Sequence, residues 1–131
     1  MRFVLDENLP PNLASALELL GQPVVAAART EARGVPDPEL IRLVGAWGGC
    51  LISRDRRMLD NPASVAAMKK AGIGLFLMYE GEASALDLAR TLLRAWPEIL
   101  RVEQAEPRFF CMMVHATGTA LRPYRVGRGR R

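Results

Sequence analysis

The feature that most constrains this chain is an alternation: short apolar runs of strand composition take turns with segments whose leucines recur at helical spacing. Arg2 to Leu5 is the first apolar run, broken at once by Asp6-Glu7-Asn8. Leu9, Leu13, Leu17 and Leu20 then follow at helical spacing, with Pro10 and Pro11 fitting a first turn and Gly21 the stop. Pro23 to Ala28 reads as a second strand and Arg29 to Pro36 as an arginine-rich loop. Asp37-Pro38 reads as an N-cap followed by proline at the first helical position, and the helix continues through Leu40, Ile41, Val44 and Trp47 to Gly48-Gly49. Cys50 to Ser53 is a third strand, ending in Arg54-Asp55-Arg56-Arg57. Asn61-Pro62 opens another helix, whose last turn carries Lys69 and Lys70 before Gly72, the sign the helix dipole favours there.

Ile73 to Tyr79 is apolar enough to be buried on both faces of a sheet. Leu88, Leu92 and Trp96 mark a long helix that the pattern ends before Pro97. Arg108 to His115, a turn at Gly118 and Thr119 to Arg122 predict a closing hairpin. Strands alternating with helices in this way predict an α/β protein, a three-layer α/β/α sandwich with a mainly parallel central sheet and right-handed crossovers.

With 131 residues, 50% hydrophobic and 24% charged, the chain suits one globular domain and is too apolar for a disordered segment. Two cysteines exclude a disulfide scaffold; Cys50 and Cys111 each lie in an apolar run and read as small buried hydrophobes in a reducing cytoplasm. A single histidine, His115, and no C-x-x-C argue against a zinc site. Asp6 and Glu7 interrupt any leader-like run, and no stretch has the roughly 18 uncharged apolar residues of a membrane helix, so no membrane partner is expected. The net charge of +4 is unevenly placed: residues 122–131 hold five arginines and no acid, and without them 13 bases face 14 acids. The reading is therefore a domain over 1–121 and an arginine-rich tail over 122–131.

In open α/β sheets, ligands bind beyond the carboxyl ends of the strands where strand order reverses. Asp6 follows the first strand and Asp55 lies two residues beyond the third, so a 2-1-3 order would put both carboxylates in one crevice. Asp37 and Glu39, at the start of the helix after strand two, would close it from the side. Clustered carboxylates without His or Cys suit a hard cation such as Mg²⁺ or Mn²⁺, which activates water and stabilises charge on a phosphodiester. Arg54, Arg56, Arg29 and Arg33 would lie near the same edge as phosphate-binding groups. Taken singly, each acid has a plainer reading as a turn or cap residue, and each loop arginine as a solvated face. Joint placement at one end of one sheet is what points to a site.

Three segments carry a family resemblance: Met1-Arg-Phe-Val-Leu-Asp6-Glu7-Asn8-Leu9-Pro10, then Gly34-x-x-Asp37-x-Glu39-Leu40-Ile41, then Leu51-Ile52-Ser53-Arg54-Asp55. In their residues, order and spacing they resemble the small PIN-like domain family, compact relatives of PIN-domain ribonucleases, many of them assigned as toxins of toxin–antitoxin pairs. The resemblance implies a PIN-like fold and metal-dependent RNA cleavage, with Asp6 as first metal ligand, Asp37 or Glu39 as second and Asp55 as third. It also implies RNA as substrate and a cognate antitoxin protein as partner. There is one departure. The family's third motif reads T/S-x-D-x-D-F, whereas here Arg57 stands in place of the second acid and Met58 in place of the aromatic. A cation there weakens a second metal site, leaving open one well-held metal, replacement by Asp60 or Glu7, or lost activity.

The leading expectation is a metal-dependent endoribonuclease, the toxin half of a toxin–antitoxin pair, with water attacking the phosphate in line. The alternative is a catalytically degenerate PIN-like module that binds RNA or a protein. A phosphoacceptor receiver domain also has acids after strands one and three, but it wants a Ser or Thr after the fourth strand and a Lys after the fifth. Here the fourth strand ends Met78-Tyr79 and the only lysines, Lys69 and Lys70, precede it. Trp47 and Trp96 read as packing residues, and Phe109 to Val114 as either a central strand or an edge joining two copies in a homodimer.

Overall fold

The structure is a computed structural model that describes residues 2–79, 84–115 and 120–124, apart from the side chain of Tyr79. Its strands are β1 (Phe3–Leu5), β2 (Val24–Ala26), β3 (Cys50–Ser53), β4 (Gly74–Tyr79), β5 (Phe110–His115) and β6 (Leu121–Pro123). Its helices are α1 (Pro11–Leu19), α2 (Asp37–Ala46), α3 (Pro62–Ala71) and α4 (Ala85–Ala105), with 3-10 turns at Ala27–Arg29 and Arg56–Asp60. The strands form one sheet in the order β2-β1-β3-β4-β5-β6, parallel throughout except for β6, which runs antiparallel to β5. This is the mixed α/β sandwich the alternation predicted, and its 2-1-3 start makes β1 and β3 neighbours.

Strand residues sort by parity into two cores. Phe3, Leu5, Ile52, Phe76, Phe110 and Met112 pack with Leu13 and Leu17 of α1 and Leu92, Trp96 and Ile99 of α4. Val4, Leu51, Leu75, Leu77 and Met113 pack with Leu40, Ile41 and Val44 of α2 and Met68 of α3. The sheet is therefore covered on both sides, which is why its strands read as unbroken apolar runs. Trp96 is a packing residue: its ring lies 5.0 Å from that of Phe3, and its Nε1 donates to Gln22 Oε1 at 2.9 Å. Trp47 is half-buried against the second core.

Three local readings are corrected. The last long helix does not end before Pro97 but continues to Ala105 with the proline inside it. Pro97 is exposed, and the Leu93 carbonyl that loses its intrahelical donor belongs to a residue on the same wet side, 48% exposed. Water can serve that carbonyl, while Leu88, Leu92, Trp96, Ile99 and Val102 hold the opposite stripe in the core. Asp37 is not an N-cap: Pro36 holds that position without a side-chain bond, and Asp37 is the first helical residue. Arg122 and Pro123, read as tail, continue the sheet, with Arg122 opposite Met113.

The turn expected at Gly118 and residues 125–131 of the tail lie outside the described residues. β5 lies between β4 and β6, so its apolar run is an interior strand. Asn61 does cap α3, its Oδ1 accepting from Ala63 N at 2.9 Å, and Gly72 ends that helix in the left-handed region at φ 68°. No helix among the described residues is long and apolar enough to cross a membrane.

Candidate functional site

Strand order reverses between β1 and β3, because β1 leads through α1 to β2 on one side while β3 lies on the other. Two neighbouring carboxyl ends open a crevice there. Asp6 leaves β1 with its N–H still donating to Ile52 O of β3 at 2.9 Å, so the backbone anchors it to the sheet edge. Its carboxylate is almost buried, 9% exposed, and every oxygen is served. Oδ1 accepts from Glu7 N at 2.7 Å, and Oδ2 accepts from Ser53 Oγ at 2.8 Å and Asn8 Nδ2 at 3.4 Å.

Ser53 and Asn8 are the residues that sequence reading left out of the site. Ser53, fully buried at the end of β3, donates to Asp6 while its Oγ accepts from Asn8 Nδ2 at 3.1 Å and Asp55 N at 3.0 Å. Asn8 Oδ1 accepts from Arg54 N at 3.2 Å. These bonds tie the loop after β1 to the loop after β3. Glu7 reaches the other way, its Oε1 accepting from Gly34 N at 2.8 Å, and so holds the loop before α2. The signal was present in the D-E-N and S-x-D strings, but it reads as positioning only once β1 and β3 are known neighbours.

Asp6, Asp37 and Asp55 converge electrostatically. Burial pushes the Asp6 carboxyl above its ordinary value, the charges of Asp37 and Asp55 push the same way, and the Ser53 hydroxyl and Glu7 N–H oppose them. Asp37 is also raised, by burial first and then by Asp55, with Arg57 opposing. Asp55 goes the other way, held low chiefly by its bond to the Arg57 side chain. Its Oδ1 accepts from Arg57 N and Arg57 Nε, both at 3.0 Å, and its Oδ2 from Arg57 Nη2 at 3.3 Å. The residue that departs from the family pattern thus lies directly on the third acid.

The other expected site residues are dispersed. Glu39 bonds Arg42 along the exposed side of α2 and lines a separate groove with Pro36, Pro38 and Lys70, so it does not close the crevice. An N-terminal helical residue two positions past Asp37 points elsewhere around the helix. Arg29 donates to Asn12 and Ser15 of α1, and Arg33 is exposed in the loop before α2. Arg54 and Arg56 do reach the site, lining with Asn8, Asp55 and Arg57 an open cavity of about 400 Å³. Asp60 is exposed at the end of its 3-10 turn and lines a different groove, so it does not replace the missing acid.

Among the described residues, no group of three His, Cys, Asp or Glu side chains stands close enough to hold a metal ion together. The expected trio is therefore not assembled, and Asp55 is turned to Arg57. The donor set still suits one hard cation. Asp6 and Asp37 are oxygen donors whose ionised forms are disfavoured by burial and by like charge, and a divalent cation would relieve both. Mg²⁺ commonly takes one or two carboxylates, completing its shell with water and substrate phosphate.

The family model for a PIN-like domain matches residues 1–80, which span β1 to β4 and hold every residue of this crevice. Searches of curated proteins and of solved structures return no match. With an α/β/α sandwich, a 2-1-3 sheet edge and this match over more than half its length, the chain belongs to the PIN-like domain family.

Proposed function

We propose that this protein is a metal-dependent endoribonuclease. The observation that carries the reading is a nearly buried carboxylate, Asp6, fixed by Ser53 Oγ and Glu7 N at the switch point of the sheet and within the field of Asp37 and Asp55. Carboxylates whose charge is disfavoured by burial and by like neighbours in a cleft are candidates for function. Asp6 and Asp37 would hold a Mg²⁺ or Mn²⁺ ion, which when bound lowers the pKa of water and offsets charge building on a phosphodiester.

The chain's own groups supply the rest. Ser53 and Glu7 N–H fix the Asp6 carboxylate in one orientation. Arg54 and Arg56, at the cavity rim, would bind the phosphate as forked donors and orient it for in-line attack. No side chain need serve as nucleophile. Asp6→Asn should abolish Mn²⁺-dependent cleavage of labelled RNA while leaving the far-ultraviolet circular dichroism unchanged. Equal cleavage by the variant, or none by the wild type, sinks the reading.

A second reading has its own support, the Arg57 guanidinium on Asp55. With that pair closed, the domain would bind RNA or a protein without cutting. RNA binding without any Mn²⁺ binding near millimolar concentration would favour it. Under the first reading the partner is a cognate antitoxin and the setting a toxin–antitoxin pair; a small DNA-binding protein encoded beside this one would support that setting.

A further inference from the structure

We propose that Arg57 is a substrate-operated gate: its guanidinium holds Asp55 in the absence of nucleic acid, and a phosphodiester entering the adjoining cavity draws it off and frees the carboxylate for the cation. The inference rests on the nuclease reading and adds a regulatory step to it.

The geometry supplies both states. Asp55 keeps one bond that does not depend on the side chain, from Arg57 N to Oδ1, which starts the 3-10 turn at Arg56–Asp60. Releasing the guanidinium breaks only the Nε and Nη2 bonds, so the loop backbone keeps its support. The pair lies at the water's edge: the Arg57 side chain is 88% exposed and that of Asp55 23%. Exposed ion pairs of this kind hold by no more than about fivefold in equilibrium.

A competing anion is also provided for. The cavity of about 400 Å³ is lined by Arg54, Arg56 and the same Arg57, together with Asn8 and Asp55. A phosphodiester offers the guanidinium the paired oxygens a carboxylate offers, so the exchange replaces one forked contact by another. Asp37 feels Arg57 as an opposing charge, so moving the guanidinium outward also exposes the negative field of Asp37 and Asp55 to a cation. Where the family pattern has an acid, this chain has a movable positive charge that stands on the acid before it.

Thermodynamic linkage makes the gate measurable. If the metal and Arg57 compete for Asp55, an RNA that takes Arg57 must tighten metal binding, and the metal must tighten RNA binding by the same factor. Mn²⁺ binding is followed by the paramagnetic resonance of the free ion, with and without a cleavage-resistant phosphorothioate RNA oligonucleotide. The wild type should bind Mn²⁺ about fivefold tighter with the oligonucleotide than without it. Arg57→Ala should bind Mn²⁺ about fivefold tighter than wild type with no oligonucleotide, and the oligonucleotide should then add less than about twofold. Arg57→Lys, which keeps the charge but not the fork, should also bind tighter than wild type.

The gate is overturned if wild type and Arg57→Ala bind Mn²⁺ equally, if Arg57→Ala keeps the full oligonucleotide effect, or if Arg57→Lys matches wild type. In those cases Mn²⁺-dependent cleavage persists and the nuclease reading stands. If no variant binds Mn²⁺ and no RNA is cut, the nuclease reading fails and the gate with it.

Discussion

Replacing Ser53 by Ala tests how the crevice tolerates a buried carboxylate. Ser53 is fully buried at the end of β3, and its hydroxyl is the junction of three bonds: it donates to Asp6 Oδ2 and accepts from Asn8 Nδ2 and Asp55 N. Alanine keeps the backbone and nearly the volume but removes the donor. A hydrogen bond to a charged group contributes about 1.5–3 kcal/mol, so the loss at neutral pH should be about 2 kcal/mol. Asp6 would retain Glu7 N at 2.7 Å and the longer contact to Asn8 at 3.4 Å, which is why the loss should not reach that of an unpaired buried charge.

The sign of the pH dependence follows from the direction of the Asp6 shift. Its folded-state pKa is already raised, and the Ser53 hydroxyl is the largest influence lowering it. Ser53→Ala therefore raises it further. A raised carboxyl adds stability below its unfolded value and loses it as pH climbs through the folded one. The difference between variant and wild type should thus be largest at pH 7 and shrink as pH falls through the raised Asp6 values, being smallest near about pH 4, where a protonated Asp6 no longer needs the donor. Urea denaturation in chelator-containing buffer, followed by circular dichroism at both pH values, measures it. A loss below about 0.5 kcal/mol at pH 7, or an equal loss at both pH values, would refute the argument.

Other outcomes follow from the same packing. Gly74 starts β4 where an added Cβ would lie 2.3 Å from the Phe110 ring and 2.8 Å from Cys50 Sγ, so Gly74→Ala should destabilise by about 1–3 kcal/mol; an unchanged urea midpoint would show that the ring has room to move. Pro97→Ala restores a donor to the Leu93 carbonyl within α4 and should stabilise by about 1–2 kcal/mol, whereas a lower melting temperature would mean that the helix is built around its proline. Burial pushes the Cys50 thiol up to about 11 and the Cys111 thiol to about 12, so neither should react with a thiol reagent at pH 8 until the protein unfolds, and rapid native labelling would contradict that burial.

The fold was largely legible because each element carries its own signal. Cys50–Ser53 is bounded by Gly48-Gly49 and by charge, and its strand is where the pattern put it. The helix through Pro97 was misread because local propensity stops there, while the apolar stripe from Leu88 to Val102, a tertiary requirement, carries the helix on. Asp37 was placed in the site and given the wrong cap role; as the first helical residue it has no capping bond to make.

The site was half legible. Asp6, Asp37 and Asp55 sit at strand and helix ends, where topology predicts function, and they feel one another's charge without forming a closed trio. Glu39 was misplaced because sequence spacing near a helix start does not show which way a side chain faces, and Arg29 because a loop arginine can as readily bond its neighbouring helix. Ser53 and Asn8 do nothing recognisable until two strands distant in sequence become adjacent. The charge balance also changes meaning: Asp6, Asp37 and Asp55 feel one another's charge at the switch point of the sheet, beside a cavity lined by Arg54, Arg56 and Arg57.

The most direct measurement is anomalous diffraction from a crystal of the protein soaked in Mn²⁺, alongside one of Asp6→Asn. One Mn²⁺ peak is expected in contact with the carboxylates of Asp6 and Asp37, lost in the variant, with Asp55 still on Arg57 when RNA is absent. No peak in the crevice, or one that survives in Asp6→Asn, would contradict it.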